Sequence, residues 1–170
     1  MATRKTDIKW GANPVDLEGP EVKVGQKAPD FTAVGVDMKP VSLMDTSGKP
    51  RVFLSVPSLD TATCDTETRR FNKEATSIGN AEVYVVSMDL PFAQKRWCGA
   101  AGVDKVKTLS DHRTASFGSG WGTLEPGRRL LARAVFVVDK DDTVQYVQYV
   151  PVVAEEPNYD AALEAVRKLS

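Results

Sequence analysis

Histidine is nearly absent from this chain. His112 stands alone among 170 residues, and only two cysteines, Cys64 and Cys98, accompany it. Two thiols can neither build the disulfide framework of a small secreted scaffold nor complete a zinc site by themselves. An excess of either charge is also missing: 22 Lys and Arg against 23 Asp and Glu give a formal net charge of -1. That balance offers no basic surface to nucleic acid or to an anionic membrane. No run approaches the roughly 18 apolar residues of a membrane span, and Met1–Asp7 lacks the apolar stretch of a signal peptide. These absences predict a cytoplasmic protein with no nucleic-acid or membrane partner. In a reducing compartment its cysteines are catalytic or redox-active rather than structural. With 42% hydrophobic and 26% charged residues, 1–170 reads as one globular domain with length enough for a core.

What is present centres on Pro57-Ser58-Leu59-Asp60-Thr61-Ala62-Thr63-Cys64. Val52–Val56 before it is short, apolar and β-prone, the pattern of a buried strand. Asp65–Phe71 after it is acidic first and basic later, which suits the opening of a helix. Cys64 therefore falls in the first turn of a helix that follows a core strand, where free backbone N–H groups and the helix dipole favour a thiolate. The plainer reading, an inert buried cysteine, is the common fate of a free thiol. The hydroxyl-rich flanks Ser58, Thr61, Thr63 and Thr66 argue instead for a solvated junction.

Along the chain, Thr6–Trp10 and Val15–Leu17 about Gly11-Ala12-Asn13-Pro14 predict an N-terminal hairpin. A short strand is expected near Thr32–Val36. The helix from Cys64 should run to about Ile78, with Gly79 ending it. Glu82–Met88 reads as a buried strand. Asp89 is placed to cap a helix with Pro91 in its first turn, continuing past Trp97 and Cys98 to about Ala101. Val106–Leu109 is a short strand, Ser110–Gly122 polar with at most one short helix, Leu130–Val138 one strand, and Thr143–Val150 its antiparallel return. A final helix opens at Pro157-Asn158, with Tyr159, Ala162, Leu163, Val166 and Leu169 on one face. This order predicts an α/β, thioredoxin-like fold: a mixed central sheet flanked by helices, with residues 1–20 as a hairpin extension.

At this point four segments, in order, resemble the thiol peroxidases, an atypical two-cysteine branch of the peroxiredoxins. Pro57–Cys64 is similar to their P-x-x-x-T-x-x-C loop, Asp89–Cys98 to the segment with the resolving cysteine, Ala132-Arg133-Ala134-Val135 to the strand with the active-site arginine, and Ala28-Pro29-Asp30-Phe31 to an early signature. The resemblance spans Val24–Ser170. Thr63, where the family is usually apolar, and the glycine-rich Gly118–Gly127 depart from it. It implies a peroxidase for hydrogen peroxide and organic hydroperoxides, with no metal or organic cofactor. Cys64 would attack, Cys98 would close an intramolecular disulfide, and thioredoxin would recycle a homodimer.

The chemistry gives each residue a place. Thr61 can offer its hydroxyl to thiolate and peroxide, or serve as a plain helix N-cap. Pro57 can fix and shield the loop, or merely end a strand. Arg133 sits on an otherwise apolar strand, and its fork suits a sulfur and a peroxide oxygen together, although an edge-strand arginine is the ordinary alternative. Cys98 follows Cys64 by 34 positions and starts from another helix, so joining them requires both segments to loosen. Cys98 packed beside Trp97 as a hydrophobe is the plainer alternative. Trp10, Trp97 and Trp121 read as packing residues. Two rival functions remain open on these residues: a non-enzymatic redox sensor switched by a Cys64–Cys98 bond, and a Cys–His hydrolase using Cys64 and His112.

Overall fold

A computed structural model describes residues 2–74 and 77–169. Two runs of alternating burial, β1 (Thr3–Trp10) and β2 (Asn13–Glu18), pair antiparallel as the predicted hairpin. Gly11, at φ 69°, supplies the turn that a side chain would strain. Two short strands, β8 (Leu124–Glu125) and β9 (Leu130–Leu131), extend this hairpin into a four-stranded sheet of order β1-β2-β8-β9.

The main sheet has seven strands among the described residues. In chain order they are β3 (Thr32–Val34), β4 (Pro40–Ser42), β5 (Arg51–Ser55), β6 (Glu82–Ser87), β7 (Val106–Ser110), β10 (Ala134–Val138) and β11 (Val144–Tyr149). Their spatial order is β11-β10-β5-β6-β7-β3-β4. The β5–β6 and β6–β7 pairs are parallel and the other pairs antiparallel, so the sheet is mixed as expected. The parallel pairs are joined by α2 (Ala62–Glu74) and α3 (Pro91–Ala101), the crossover that parallel strands require. Two short helices, α1 (Leu43–Thr46) and α4 (Ser116–Gly120), and a C-terminal α5 (Tyr159–Arg167) complete the chain.

The central strands are apolar throughout because both faces of the sheet are covered. On one face Phe53, Tyr84 and Phe136 pack with Phe31, Phe117 and Trp121. On the other, Val52, Leu54, Val85 and Val137 meet Cys64 and Phe71 of α2 and Ala162, Leu163 and Val166 of α5. Asn158 caps α5 by accepting from Ala161 N at 3.1 Å.

Several boundaries differ from the sequence reading. Helix α2 begins at Ala62 and is described to Glu74; Ile78 lies beyond it, and Ala75 and Thr76, over which continuation was predicted, are outside the described residues. The N-cap of α3 is Leu90, not Asp89; the Asp89 carboxylate turns back to the loop before α2. The single strand expected over Leu130–Val138 is two, in different sheets, because the backbone at Ala132 and Arg133 has other partners. Ala132 N donates to Thr123 O at 2.7 Å, Ser55 Oγ donates to Ala132 O at 2.8 Å, and Val150 N donates to Arg133 O at 3.0 Å. Within the glycine-rich stretch Gly118 is a matter of packing, since a Cβ there would lie 2.5 Å from the Leu131 side chain, whereas Gly122 turns at φ 68° against Pro20 O.

Candidate active site

Topology brings the site together. The loop after β5 leaves the carboxyl end of a parallel strand, the usual place for a ligand in such sheets. Strand β10 runs antiparallel to β5 with Ala134 opposite Ser55, so Arg133, one residue before β10, arrives where β5 hands over to the loop.

In that loop Pro57 is buried and Thr61 is exposed. Thr61 Oγ1 donates to Ser58 O at 2.9 Å, and Asp65 N donates to Thr61 O at 3.0 Å as the helix begins. Cys64, the third residue of α2, is completely buried. Burial pushes its thiol up; the Arg133 charge pulls hardest against this, followed by the Thr61 hydroxyl, the Ser58 backbone and the Arg133 N–H groups. The junction itself is solvated as expected, with Asp60, Thr61, Ala62 and Thr66 exposed, but the Cys64 side chain turns from it into the core. The structure nevertheless brings Thr61, Cys64 and Arg133 together, with Pro57 leading into the loop.

Sequence reasoning missed three participants. Glu67, fully buried, accepts from Arg133 Nη1 at 2.6 Å, while Arg133 Nε donates to Val153 O at 2.8 Å. Burial raises the Glu67 carboxyl to about 7 against the pull of Arg133, and its second oxygen has no hydrogen-bond partner. The signal was available: Cys64, Glu67, Thr68 and Phe71 fall at helical spacing on one face, and a carboxylate on a buried face needs a partner. Asp89 is the second. It accepts from Ser58 Oγ at 2.7 Å, Leu59 N at 2.9 Å and Ser87 Oγ at 2.7 Å, and so holds the loop. Val153, the third, acts through its carbonyl, which residue type does not reveal.

Cys98 is elsewhere. It is half-buried on α3, its sulfur 4.0 Å from Thr108 Oγ1, in the wall of a cavity of about 470 Å³ that Tyr84, Val106 and Leu109 also line. Both cysteines are free. Between their helices Trp97 Nε1 donates to Asp65 Oδ1 at 3.0 Å, and Arg69 joins Asp65 at 2.8 Å and Ala101 O at 3.1 Å. A shallow groove lined by Leu59, Thr61, Ala62, Asp65, Arg69 and Trp97 runs past the loop. Trp121 is wholly buried and Trp10 lies under Arg128, which fits their reading as packing residues. His112 sits just past β7 with Nδ1 2.8 Å from Ser110 Oγ, and it is not among the groups acting on the Cys64 thiol. The base a Cys–His hydrolase needs is not at the sulfur.

With this geometry the comparisons agree. The Redoxin family model matches residues 23–163. The chain belongs to the redoxin family. Its relatives place this redoxin among the thiol peroxidases, as a peroxiredoxin-type oxidoreductase. It is 52% identical to the thiol peroxidase of Halalkalibacterium halodurans over 160 residues, 94% of this chain and 96% of that one. It is 50% identical to the thiol peroxidase of Bacillus subtilis over 163 residues, 96% of this chain and 98% of that one. Among solved structures, a peroxiredoxin-like protein from Aquifex aeolicus matches at TM-score 0.90 and 40% identity, covering 98% and 99% of the two chains. A thiol peroxidase from Chromobacterium violaceum matches in fold, at TM-score 0.85 and 19% identity over 95% of each chain. No helix of the described residues is long and apolar enough to cross a membrane.

Proposed function

We propose that this redoxin reduces hydrogen peroxide and organic hydroperoxides with Cys64 as the attacking residue. The observation that carries the reading is the placement of Cys64: buried at the start of α2, with the Arg133 charge, the Thr61 hydroxyl and the Ser58 backbone all bearing on its sulfur. The Cys64 thiolate attacks one oxygen of the peroxide. The S–O bond forms as the O–O bond breaks, and the departing oxygen takes a proton and leaves as water or an alcohol. Arg133, and Thr61 once its hydroxyl turns from Ser58 O, hold the peroxide and stabilise the charge that develops on that oxygen. Pro57 covers the loop.

Cys64 is left as a sulfenic acid. The Cys98 thiol displaces its oxygen as water and forms an intramolecular disulfide, which protects Cys64 from further oxidation. Because Cys98 faces Thr108 and Cys64 faces the core, this step requires the loop after Pro57 and helix α3 to loosen. A dithiol protein, thioredoxin, then returns two electrons and two protons. The reducing compartment this needs is the cytoplasm. The working unit is the whole chain as one domain, in a homodimer to which the exposed pair Leu90 and Phe92 offers an apolar contact.

The test is peroxide consumption with thioredoxin, thioredoxin reductase and NADPH. Sustained turnover that Cys64→Ser eliminates is expected. Oxidation at the rate of an ordinary thiol, without cycling, would make the chain a redox sensor; loss of activity in His112→Ala, with Cys98→Ser unaffected, would restore the hydrolase.

A further inference from the structure

Residues 2–22 lie outside the segment that the family model matches, and the reaction gives the N-terminal hairpin no role. Its backbone nevertheless reaches the catalytic arginine. In the hairpin register Trp10 closes on Asn13, and Lys9 faces Pro14 in the next pair. Alternate pairs of an antiparallel ladder turn their N–H and C=O groups away from the partner strand, so Lys9 presents both to its outer side. The register is interrupted between Lys5 and Lys9, where Thr6 Oγ1 donates to Val15 O at 2.6 Å and receives Ile8 N at 3.1 Å.

The outward groups of Lys9 are both used. Lys9 N donates to Pro151 O at 2.8 Å and Lys9 O receives Val153 N at 2.9 Å, a parallel bridge centred on Val152. The Val153 side chain is buried with Ile8, Val15 and Leu17 of the hairpin and with Ala132, the residue before Arg133. At the other end of the same residue, Val153 O accepts from Arg133 Nε at 2.8 Å. Its neighbour Ala154 O accepts from Thr63 Oγ1 at 2.8 Å, one residue before Cys64. The residue at which this chain departs from the family pattern thus ties α2 to the same segment.

We infer that the N-terminal hairpin is a positioning element for the reaction: through Lys9 it fixes Pro151–Val153, and through the Val153 carbonyl it aims the Arg133 guanidinium at Cys64. This rests on the peroxidase reading of Cys64. The two anchors of Arg133 differ in kind. Glu67 rides on α2 with Cys64 and leaves the site when that helix loosens to reach Cys98. Val153 O belongs to the hairpin side and stays. The arginine therefore remains aimed while the cysteine is away, and the returning thiol meets a donor already in place. Preorganisation of this sort costs nothing at the moment of reaction.

The experiment is single-turnover oxidation of the full-length, reduced protein by hydrogen peroxide, which needs no thioredoxin. Lys9→Pro, on the outer strand of the hairpin sheet, removes the N–H given to Pro151 and leaves the Lys9–Pro14 pair without a ladder bond to lose. Val153→Ala removes the packing but keeps the carbonyl. Each should slow Cys64 oxidation by roughly tenfold to a hundredfold, the scale on which remote misplacement of a catalytic group acts. Each should also raise the pH at which Cys64 thiolate absorbance appears. In an Arg133→Ala background neither should slow the reaction further, because the effect passes through Arg133. Wild-type rates and an unchanged thiolate titration in whichever variant folds would overturn the inference, as would equal losses with and without Arg133. A wild-type protein that fails to oxidise at Cys64 would instead overturn the peroxidase reading.

Discussion

Glu67 and Arg133 form a buried ion pair, 2.6 Å apart, and the guanidinium of that pair also supplies the positive charge beside Cys64. The carboxylate and the thiolate are therefore rivals for one cation. Glu67→Gln removes the rival charge but keeps the shape, so the Cys64 thiol should ionise at lower pH than in the wild type. The rate of oxidation per thiolate should fall, by about tenfold, because Arg133 is held less firmly. Thiolate absorbance against pH and stopped-flow peroxide kinetics measure the two effects separately; movement in the same beneficial direction would show that Glu67 does not position Arg133. Glu67→Ala leaves a buried guanidinium without its carboxylate and should cost about 3–5 kcal/mol of stability.

The two cysteines should separate kinetically. Cys98→Ser should react once with peroxide at the wild-type rate, stall as sulfenic acid, over-oxidise readily and fail to turn over with thioredoxin. Non-reducing peptide mapping of the oxidised wild type should find Cys64 joined to Cys98 within one chain. Hydrogen exchange should rise over 57–69 and 91–99 on oxidation. Full turnover by Cys98→Ser would reduce Cys98 to a packing residue.

Asp89 should matter to the first step and not as a helix cap. It takes three donors, two of them from Ser58 and Leu59, and an amide in its place can accept with only one oxygen. Asp89→Asn should slow Cys64 oxidation by roughly tenfold, the loop no longer holding Thr61 and Ser58 to the sulfur. The disulfide step that follows should be faster, since the loop opens more easily. A helix-content change at α3 without either kinetic change would contradict this role.

Stability should fall as pH rises through the weakly acid range. Burial raises the carboxyl of Asp111, which accepts from Phe117 N at 3.0 Å and Gly118 N at 2.8 Å, to about 6, and that of Glu67 to about 7. Between the ordinary carboxylate range and those values the folded chain holds protons that the unfolded chain has released. Raising pH across that window therefore favours unfolding, and the slope flattens only once pH has risen about a unit above the Glu67 value of about 7. The melting temperature should decline from about pH 4.5 to about pH 8, and Asp111→Asn combined with Glu67→Gln should flatten it. A rising melting temperature over the same range would show that both carboxyls are ionised throughout.

Local chemistry made much of this protein readable in one dimension. The hairpin about Gly11, the apolar strands at Val52 and Val83, the proline-led helix at Pro91 and the amphipathic face of α5 follow from residue type and period, because each forms from neighbours in the chain. The same holds for the Pro57–Cys64 loop, whose position between a strand and a helix places the thiol. Tertiary structure decided what depends on partners distant in sequence. It split Leu130–Val138 between two sheets, because the backbone at Ala132 and Arg133 is claimed by Thr123, Ser55 and Val150. It buried Cys64 rather than leaving it solvated, turned Asp89 from a helix cap into an anchor for the loop, and paired Glu67 with Arg133 across 66 positions. Above all it set the Val153 carbonyl behind the arginine. A carbonyl is common to every residue, so its direction is written in no side chain and is fixed only when the hairpin folds against it.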